Sequence, residues 1–410
     1  MAKVFAGKII TAIDVGTTKI CVLVANQLDK DHIEIIGVGK APSDGLKKGV
    51  VVDIARTIKS IKSAVKEAEI MSGQTIESAY IGISGAHIKS VNSSGAVPIK
   101  TGQVKQSDVA SVLEAAKAVP VKEGQQILHI LPQYFVIDGG DRLEDPVGMH
   151  GIRLDVQAHI ITGATASVAN LVKCCESAGV KVCDVILEQL ASAQAVLSDD
   201  ERQLGVGVLD IGGGTADLAL YQYGSIRHTM VLPVAGNHFT NDIAIGLRTT
   251  LNDAERIKKL HGIATSFLIE ENELIEIEEV QGISKRFIQL SELVDIIQPR
   301  AQELLSIVQE EIITKRLESF TTSGFVLTGG GSLLKGIDHL AQGIFDMPVR
   351  IGPPRLYFGT SESLESPIYA TGYGMLLYAL KKQNEDFNVV EGPIVKRVFL
   401  RMKSWVSDFF

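Results

Sequence analysis

The sequence predicts an α/β protein with two lobes, because one strand–turn–strand pattern occurs twice, about half a chain apart. Residues 9–25 contain two β-branched runs joined by a Gly-Thr-Thr turn, and residues 205–223 repeat the arrangement around three consecutive glycines. Such runs around a glycine-rich turn are typical of paired strands. Aligning Asp14 with Asp210 also aligns an apolar residue on each side and a following glycine. This recurrence predicts a duplicated fold.

Between and after these units, hydrophobic spacing predicts the remaining elements. Residues 85–159 change to short strands interrupted by prolines, with one helix, which indicates an inserted small subdomain. Glu and Ile alternate over 270–280, which fits either an edge strand or a solvated acidic face. Pro299 is expected in the first turn of a long helix. The helices outside the insert are expected over 53–72, 167–178, 186–197, 239–260, 298–317 and 369–381.

Composition and charge narrow the class of protein. The 410 residues are 45% hydrophobic and 21% charged, as in an ordinary globular protein of several domains. The net charge of −8 argues against a broad nucleic-acid surface, so we expect no nucleic-acid partner. The start lacks a signal-peptide pattern, and no apolar run is long enough to cross a bilayer. The four cysteines lack CxxC spacing. We therefore expect a cytoplasmic protein with free thiols.

Two glycine-rich turns are candidate phosphate-binding loops. Glycine lets the backbone approach a polyphosphate, and successive N–H groups form an anion-binding concavity. Threonine hydroxyls and a lysine add donors, while an aspartate at each strand end can hold a hydrated Mg²⁺. One such loop alone would be read as an ordinary β-turn, but two facing each other predict a phosphate clamp. The residues are Asp14, Gly16, Thr17, Thr18 and Lys19 in the first loop, and Asp210, Gly212, Gly213, Gly214 and Thr215 in the second.

A third glycine run follows a predicted strand at Gly329, Gly330 and Gly331. It would let a flat ligand lie against the backbone, or it is only a tight strand-to-helix turn. Neither GxxxxGK[ST] nor GxGxxG occurs in the chain, which excludes the two nucleotide-binding folds that those motifs mark.

The order of these motifs resembles the superfamily of actin, sugar kinases and DnaK-type ATPases. It runs DxGTTK, a small-residue helix at 190–195, DIGGGTxD, TGGGS and a last helix with ATGYG. Within that superfamily the chain is similar, over nearly its full length, to the FtsA family of bacterial cell-division proteins. The segments that carry this second resemblance are IIGVGKAPSDGLKKGVVVD, ILHILPQYFVID, DPVGMHGIRL, LPVAGNHFTNDIA, DAERIKKLHG and VRIGPP.

The resemblance implies an actin-like, two-lobed nucleotide-binding fold. The expected division is a first lobe at 1–84 and 160–195, an inserted subdomain at 85–159, a second lobe at 196–227 and 301–382, a nucleotide-covering subdomain at 228–300, a linker at 383–392 and an amphipathic helix at 393–410.

The resemblance also implies ATP and Mg²⁺ as ligands. The two aspartates would hold Mg²⁺ through water, the two loops would meet the phosphates, and the third glycine run would lie against adenosine. Gly236 and Asn237 would line the phosphate side. Glu255 and Lys258 would reach the ribose and base, or form a plain ion pair three residues apart. Glu188 would orient the attacking water of a slow ATPase, or is only a helix cap or a surface side chain.

As a function, the resemblance implies self-association into filaments and attachment of the tubulin-like FtsZ ring. The C-terminal tail of FtsZ would bind residues 228–300, where Lys285, Arg286 and Arg300 are candidate contacts for an acidic segment. Other division proteins are further expected partners. The location would be the septum, on the cytoplasmic side of the inner membrane.

The end of the chain predicts a membrane-binding helix. At about 100° per residue, its apolar side chains except Leu400 fall within one arc of roughly 160°, with the cations opposite. The alternative is a helix docked on the protein's own core, but a polar linker, four cations and the chain's only tryptophan favour an anionic lipid surface. The apolar residues are Ile394, Val395, Val398, Phe399, Met402, Trp405, Val406, Phe409 and Phe410, and the cations are Lys396, Arg397, Arg401 and Lys403.

Three other functions share the scaffold. A metabolic kinase would need an acceptor pocket and a catalytic base, for which the sequence offers no convincing candidate. A pilus platform protein of the PilM family is expected to lack the terminal amphipathic helix. A DnaK-type chaperone would carry a substrate domain after the ATPase lobes.

Overall fold

The computed structural model describes residues 8–271, 273–279, 285–356 and 364–388. The predicted membrane helix at 393–410 and all its candidate residues lie outside this part of the chain. None of the helices within the described ranges combines the length and the apolar character that a membrane-spanning segment needs.

The described part of the chain begins with an antiparallel hairpin, and most residues of its two strands are buried. The helix that follows is capped at its start by the Asp53 side chain and at its end by Gly73, which adopts a φ of 66°. The elements are β1 (Lys8–Val15), β2 (Lys19–Gln27), β3 (Ile33–Pro42), β4 (Leu46–Lys47), β5 (Val50–Val51), α1 (Ile54–Ser72) and β6 (Ser78–Ile83).

The inserted part is a four-stranded antiparallel sheet with one helix packed on it. Its elements are β7 (Lys89–Pro98), α2 (Gln106–Ala116), β8 (Gln125–Ile137), β9 (Arg142–Leu143) and β10 (Arg153–Ala164). The strands run in the order β7-β10-β8-β9. A bulge in β8 leaves Gln133 without a partner in β10, because the register skips from Tyr134 to Pro132. Pro132 therefore lies inside a strand, at the kind of position where a missing N–H is tolerated.

The chain then returns to the first sheet through α3 (Thr165–Ser177), β11 (Lys181–Leu187) and α4 (Glu188–Val196). The completed sheet has the order β11-β6-β1-β2-β3. The helix expected from residue 186 in fact begins at Glu188. The reason is tertiary, since Ile186 and Leu187 pair with the parallel strand β6.

The second lobe repeats the first. Its sheet has the order β14-β13-β12-β17-β18, which matches β3-β2-β1-β6-β11 strand for strand. In each sheet an antiparallel hairpin continues into parallel strands on one side. The elements are α5 (Asp199–Leu204), β12 (Val206–Ile211), β13 (Ala216–Gln222), β14 (Ser225–Leu232), α6 (Gly236–Gly246), α7 (Leu251–His261), β15 (Leu274–Glu278), β16 (Lys285–Gln289), α8 (Leu290–Thr314), β17 (Phe325–Thr328), α9 (Ile337–Phe345), β18 (Val349–Ile351) and α10 (Ala370–Asn388).

Two sequence predictions for this half are corrected. Helix α8 begins at Leu290, so Pro299 lies inside the helix rather than in its first turn. Interior proline costs about 3 kcal/mol, but α8 buries apolar side chains on both sides of it, including Ile297 and Ala301. Helix α10 also extends to Asn388, into the predicted linker, where no glycine or proline interrupts it before residue 392. The two alternatives for residues 270–280, an edge strand and a solvated acidic face, are both present in β15. Ile275 and Ile277 are buried, and the glutamates of the strand are exposed.

The lobes meet where α4 and α10 cross. A Cβ added to Gly374 would lie 1.7 Å from the carbonyl oxygen of Ala191, so only glycine permits this approach. Both helices contribute to a core that also contains strand residues of both lobes, such as Val22 and Val208. The crossing lies at the base of the cleft that separates the two sheets.

Candidate functional site

A cavity of about 1140 Å³ lies between the lobes. Its lining includes every predicted nucleotide-, metal- and water-contacting residue. The two hairpin turns enter from opposite sides, α4 closes the floor, and the start of α6, α7 and the turn after β17 form the remaining walls. The structure therefore brings together side chains that are more than 300 residues apart in the chain.

The two hairpin turns touch each other across the cleft. A Cβ on Gly213 would lie 1.8 Å from Thr18 Oγ1, and one on Gly214 would lie 2.3 Å from Thr17 Oγ1. The Thr18 hydroxyl also donates a hydrogen bond of 3.3 Å to Asn237 Oδ1. These glycines are therefore needed for the close packing of one turn on the other. The sequence suggested a different reason, the close approach of a ligand to the backbone.

Four carboxylates surround the floor of the cleft: Asp14, Asp210, Asp217 and Glu188. Burial raises the pKa of Asp14 to about 6; Lys19 opposes this rise and Asp210 adds to it. Burial also raises the pKa of Asp210, although hydrogen bonds from Ser192 and Thr371 lower it in part.

The other two carboxylates are shifted further. Burial raises the pKa of Asp217 to about 7, against a hydrogen bond from Ser84. The pKa of Glu188 rises well above its ordinary value because of burial and then because of Asp14, Asp217 and Asp210. The four carboxyl groups therefore lie in a site where burial disfavours their charged forms. Among the described residues, no three acidic, histidine or cysteine side chains are grouped to ligate one metal ion directly.

Glu188 is neither a surface side chain nor remote from the loops. It is the first residue of α4, and a Cβ on Gly82 of β6 would lie 3.2 Å from its Cγ. Glu188 lines the cleft and is also the acidic residue of the first turn of α4, so a role in the cleft and a role at the helix terminus are both compatible with its position.

Lysine side chains supply positive charge on one wall. Lys19 Nζ donates to the carbonyl oxygen of Ile368 and lies 5.2 Å from the centre of the Tyr369 ring. Lys40 Nζ lies 4.9 Å from the same ring. The sequence did not predict Lys40 as a cleft residue, because it lies within the ordinary strand pattern of β3 and belongs to no local motif.

Glu255 and Lys258 form an ion pair of 2.6 Å on the α7 wall. Lys258 Nζ also donates to Thr240 Oγ1 at 2.9 Å and to the carbonyl oxygen of Gly236 at 3.1 Å. Although burial raises the pKa of Glu255, Lys258 holds it below its ordinary value. The ion pair and the cleft position that the sequence offered as alternatives are thus both present.

The sequence did not predict several residues that line the cleft or donate to its aspartates. Asp217 stands within the second glycine motif, so its spacing was the available signal. Ser84, Ser192 and Thr371 lie in separate segments, and only folding brings their hydroxyls to Asp217 or Asp210.

The candidate partner-binding cations lie apart from this cavity lining. Lys285 pairs with Glu276 at 2.6 Å, and Arg286 donates to the carbonyl oxygen of Leu247 at 2.6 Å. Arg300 pairs with Asp242 at 2.6 Å and with Glu303. All three therefore have partners within the chain.

Known proteins resemble the chain along its whole length. Residues 207–374 match the family described as "Cell division protein FtsA", and residues 85–162 match "SHS2 domain inserted in FTSA". FtsA of Pseudomonas aeruginosa is 42% identical over 417 residues, covering 100% of both chains. FtsA of Escherichia coli K12 is 38% identical, covering 99% of this chain and 98% of its own. FtsA of Bacillus subtilis is also 38% identical, with coverage of 90% and 83%.

Solved structures with low sequence identity share the fold. The PilM-PilN type IV pilus biogenesis complex matches with a TM-score of 0.65 at 18% identity, covering 90% of this chain and 98% of that one. MreB 5 of Spiroplasma citri bound to AMPPNP matches with a TM-score of 0.58 at 15% identity, covering 93% and 99%. The predicted actin-like fold is confirmed. The relatives of 38–42% identity decide the family, and the chain belongs to the FtsA family of cell division proteins.

Proposed function

We propose that this cell division protein binds ATP and Mg²⁺ between its lobes, forms filaments on the cytoplasmic side of the inner membrane, and tethers the FtsZ ring there. The observation that carries the nucleotide part is the contact between two glycine-lined turns directly above a cluster of buried carboxylates. A polyphosphate with its cation is the ligand class that uses backbone donors and acidic groups together.

The residues present fit both ligands. Lys19 and the N–H groups of the two turns would meet the phosphates, and Asp14 and Asp210 would hold Mg²⁺ through its water ligands. The cation would supply positive charge beside carboxyl groups whose pKa values are raised chiefly by burial. The structure of MreB 5 with AMPPNP, on a related fold, supports a nucleotide in this cleft.

Glu188 would orient water for slow hydrolysis. It lies in the cleft beside the aspartates, and burial, together with the charges of Asp14, Asp217 and Asp210, raises its pKa well above the ordinary value. A bound cation would offset the neighbouring negative charges and so favour the ionised form of Glu188, which accepts a proton. ATP would then serve mainly as a structural ligand that keeps the lobes together.

Membrane attachment would come from residues 393–410. A single short amphipathic helix binds lipid reversibly, and each cation near an anionic surface adds about 1 kcal/mol. Filament formation would join many such helices and raise the overall affinity without any new contact.

The FtsZ tail would bind at 228–300. Lys285 has a side chain that is 61% exposed, and it pairs with one carboxylate on the neighbouring strand. Carboxylates of an acidic tail would replace the internal partners of such cations, including those of Arg286 and Arg300. A Lys285→Glu variant should weaken binding of an acidic tail peptide, while Lys66→Glu on α1 of the first lobe serves as the matched control.

The central experiment combines purified protein, ATP, Mg²⁺ and a monolayer containing anionic lipid, scored by electron microscopy. Full-length protein should form filaments on the lipid, and protein lacking 393–410 should not attach. Trp405→Glu with Phe409→Glu should mimic the deletion, whereas Ser404→Glu, predicted for the polar face, should attach more strongly than that pair. Filaments that ignore both nucleotide and lipid would contradict the proposal.

Calorimetry isolates the nucleotide step. Chelator-free protein should bind ATP in the presence of Mg²⁺, and absence of any affinity for adenine nucleotides would refute the assignment of the cleft. A kinase would instead release ADP in response to an acceptor substrate. The pilus-platform alternative has only the shared fold in its favour, at 18% identity.

A further inference from the structure

The inserted subdomain is hydrogen-bonded to the edge strand of the second lobe's sheet. Strand β14 ends the second sheet, so within the described residues one side of its backbone has no strand partner. Side chains of the insert donate to its carbonyl groups instead. Gln133 Nε2 donates to Ile226 O at 2.9 Å, and Ser90 Oγ donates to Thr229 O at 3.1 Å. In return, Ser225 Oγ of β14 donates to Gln133 O at 2.8 Å.

A bulge and a buried histidine hold these side chains in place. Gln133 is the residue that the β8 bulge leaves out of the strand register, and bulges commonly redirect a side chain. Asn92 Oδ1 accepts from Gln133 Nε2 at 3.3 Å and from His159 Nδ1 at 2.6 Å. Because His159 Nδ1 must then carry the proton, its Nε2, 2.9 Å from Thr229 Oγ1, accepts from that hydroxyl.

The same subdomain is fixed to the first lobe. Strand β10 leads directly into α3, and Ile88 and Ile161 belong to the apolar core that the two lobes share. His129 Nε2 accepts a hydrogen bond of 3.1 Å from Leu187 N, the residue before Glu188 in the cleft. The insert is therefore joined to the first lobe by the chain and by this hydrogen bond, while its polar face is hydrogen-bonded to the second lobe.

We propose that Asn92 and Gln133 are positioning residues that clasp the second lobe to the first and keep the two phosphate loops in contact without nucleotide. Any rotation that separates the Thr17–Gly214 contact also displaces β14 relative to the insert, so these hydrogen bonds oppose opening. Only the effect on ATP affinity rests on the proposed function. The effect on lobe separation does not.

The test measures the distance between the lobes by pulsed electron spin resonance. Spin labels are placed at Lys62→Cys on α1 and Asn241→Cys on α6, both exposed, in a Cys183→Ser background. The clasp variant combines Asn92→Ala with Gln133→Met, which keeps the length of the side chain and removes its donor. The control combines Ser94→Ala with Gln103→Met. Gln103 likewise donates to a carbonyl group, that of Gly148, but it is exposed whereas Gln133 is buried, and its donor and acceptor both belong to the insert.

In nucleotide-free protein, the clasp variant should shift the ratio of open to closed molecules by about tenfold, as expected from losing about two ordinary hydrogen bonds. The control pair should match the wild type. If the clasp variant keeps the wild-type distances, or if both pairs shift equally, the proposal is wrong. Asn92→Ala alone, at an exposed position, serves if the double variant does not fold.

Calorimetry with MgATP adds an independent readout. The clasp variant should bind ATP up to about tenfold more weakly, because part of the binding free energy now closes the lobes. If the wild type binds no ATP, the proposed function fails, but the distance measurement still decides whether the clasp exists. Equal affinities together with unchanged distances would overturn it.

Discussion

The hydroxyl of Ser84 in the first lobe donates a hydrogen bond of 2.5 Å to Asp217 Oδ1 in the second lobe. Both side chains are buried, at 3% and 2% exposure. The bond crosses the cleft between residues 133 positions apart. A hydroxyl donor stabilises the carboxylate form, yet burial has the larger effect and raises the pKa of Asp217 to about 7. The closed cleft thus retains a carboxyl group that titrates near neutral pH.

Asp217 should make stability depend on pH. Between its ordinary pKa of 3.8 and its folded pKa of about 7, the folded protein holds a proton that the unfolded chain has lost. The free energy of unfolding should therefore fall as pH rises through this interval, by about 1.4 kcal/mol per unit of pKa shift. In urea titrations without nucleotide, Asp217→Asn should fall less steeply than the wild type. A parallel decline in both proteins would contradict the assignment.

Glu188→Gln should separate binding from hydrolysis. Glutamine preserves the size of the side chain and removes its ability to accept a proton, so phosphate release should fall by about 10²–10⁴-fold. ATP affinity should not decrease, because a buried acid next to three aspartates is replaced by a neutral group. Calorimetry and a phosphate-release assay check the two parts. Glu176→Gln, at an exposed position of α3, is the control. Unchanged hydrolysis would remove Glu188 from the mechanism.

Gly214→Ala should weaken ATP binding by more than about tenfold, or about 1.4 kcal/mol. Its methyl group would lie 2.3 Å from Thr17 Oγ1, so the two loops must separate. Calorimetry with MgATP measures the effect. The control is Gly343→Ala in α9, where an added Cβ meets no atom within 4 Å. Wild-type affinity in Gly214→Ala would mean that the loops need not touch.

Gly374→Ala should destabilise the fold at the crossing of α4 and α10. A Cβ there would lie 1.7 Å from Ala191 O, and overpacking of this kind costs about 1–3 kcal/mol. Gly343→Ala, also helical but unobstructed, should instead stabilise by about 0.5–1 kcal/mol. Chemical denaturation of both variants compares the same substitution in two environments. Equal effects would show that the helices can move apart without cost.

Local pattern was enough for much of the fold and of the site. The two hairpins, the third glycine run and most helices follow from apolar spacing and turn residues, which depend on neighbours in the chain. The alignment of Asp14 with Asp210 also predicts the duplication of the two sheets. Glycine and aspartate at these turns already indicated which backbone segments line the cleft.

Other features depend on residues far apart in sequence. Helix α4 begins at Glu188 only because the residues before it pair with β6, and α8 continues through Pro299 because its apolar face is buried on both sides. Lys40 reaches the cleft through its contact with Tyr369, which no spacing predicts.

The sequence by itself determined which groups could bind a phosphate and its cation. Only the tertiary structure decided that Ser84 meets Asp217, that one glycine turn packs on the other, and that the insert clasps β14. Spacing along the chain fixes the period and the turns of each element, whereas burial, pKa and contact between lobes depend on how distant segments pack.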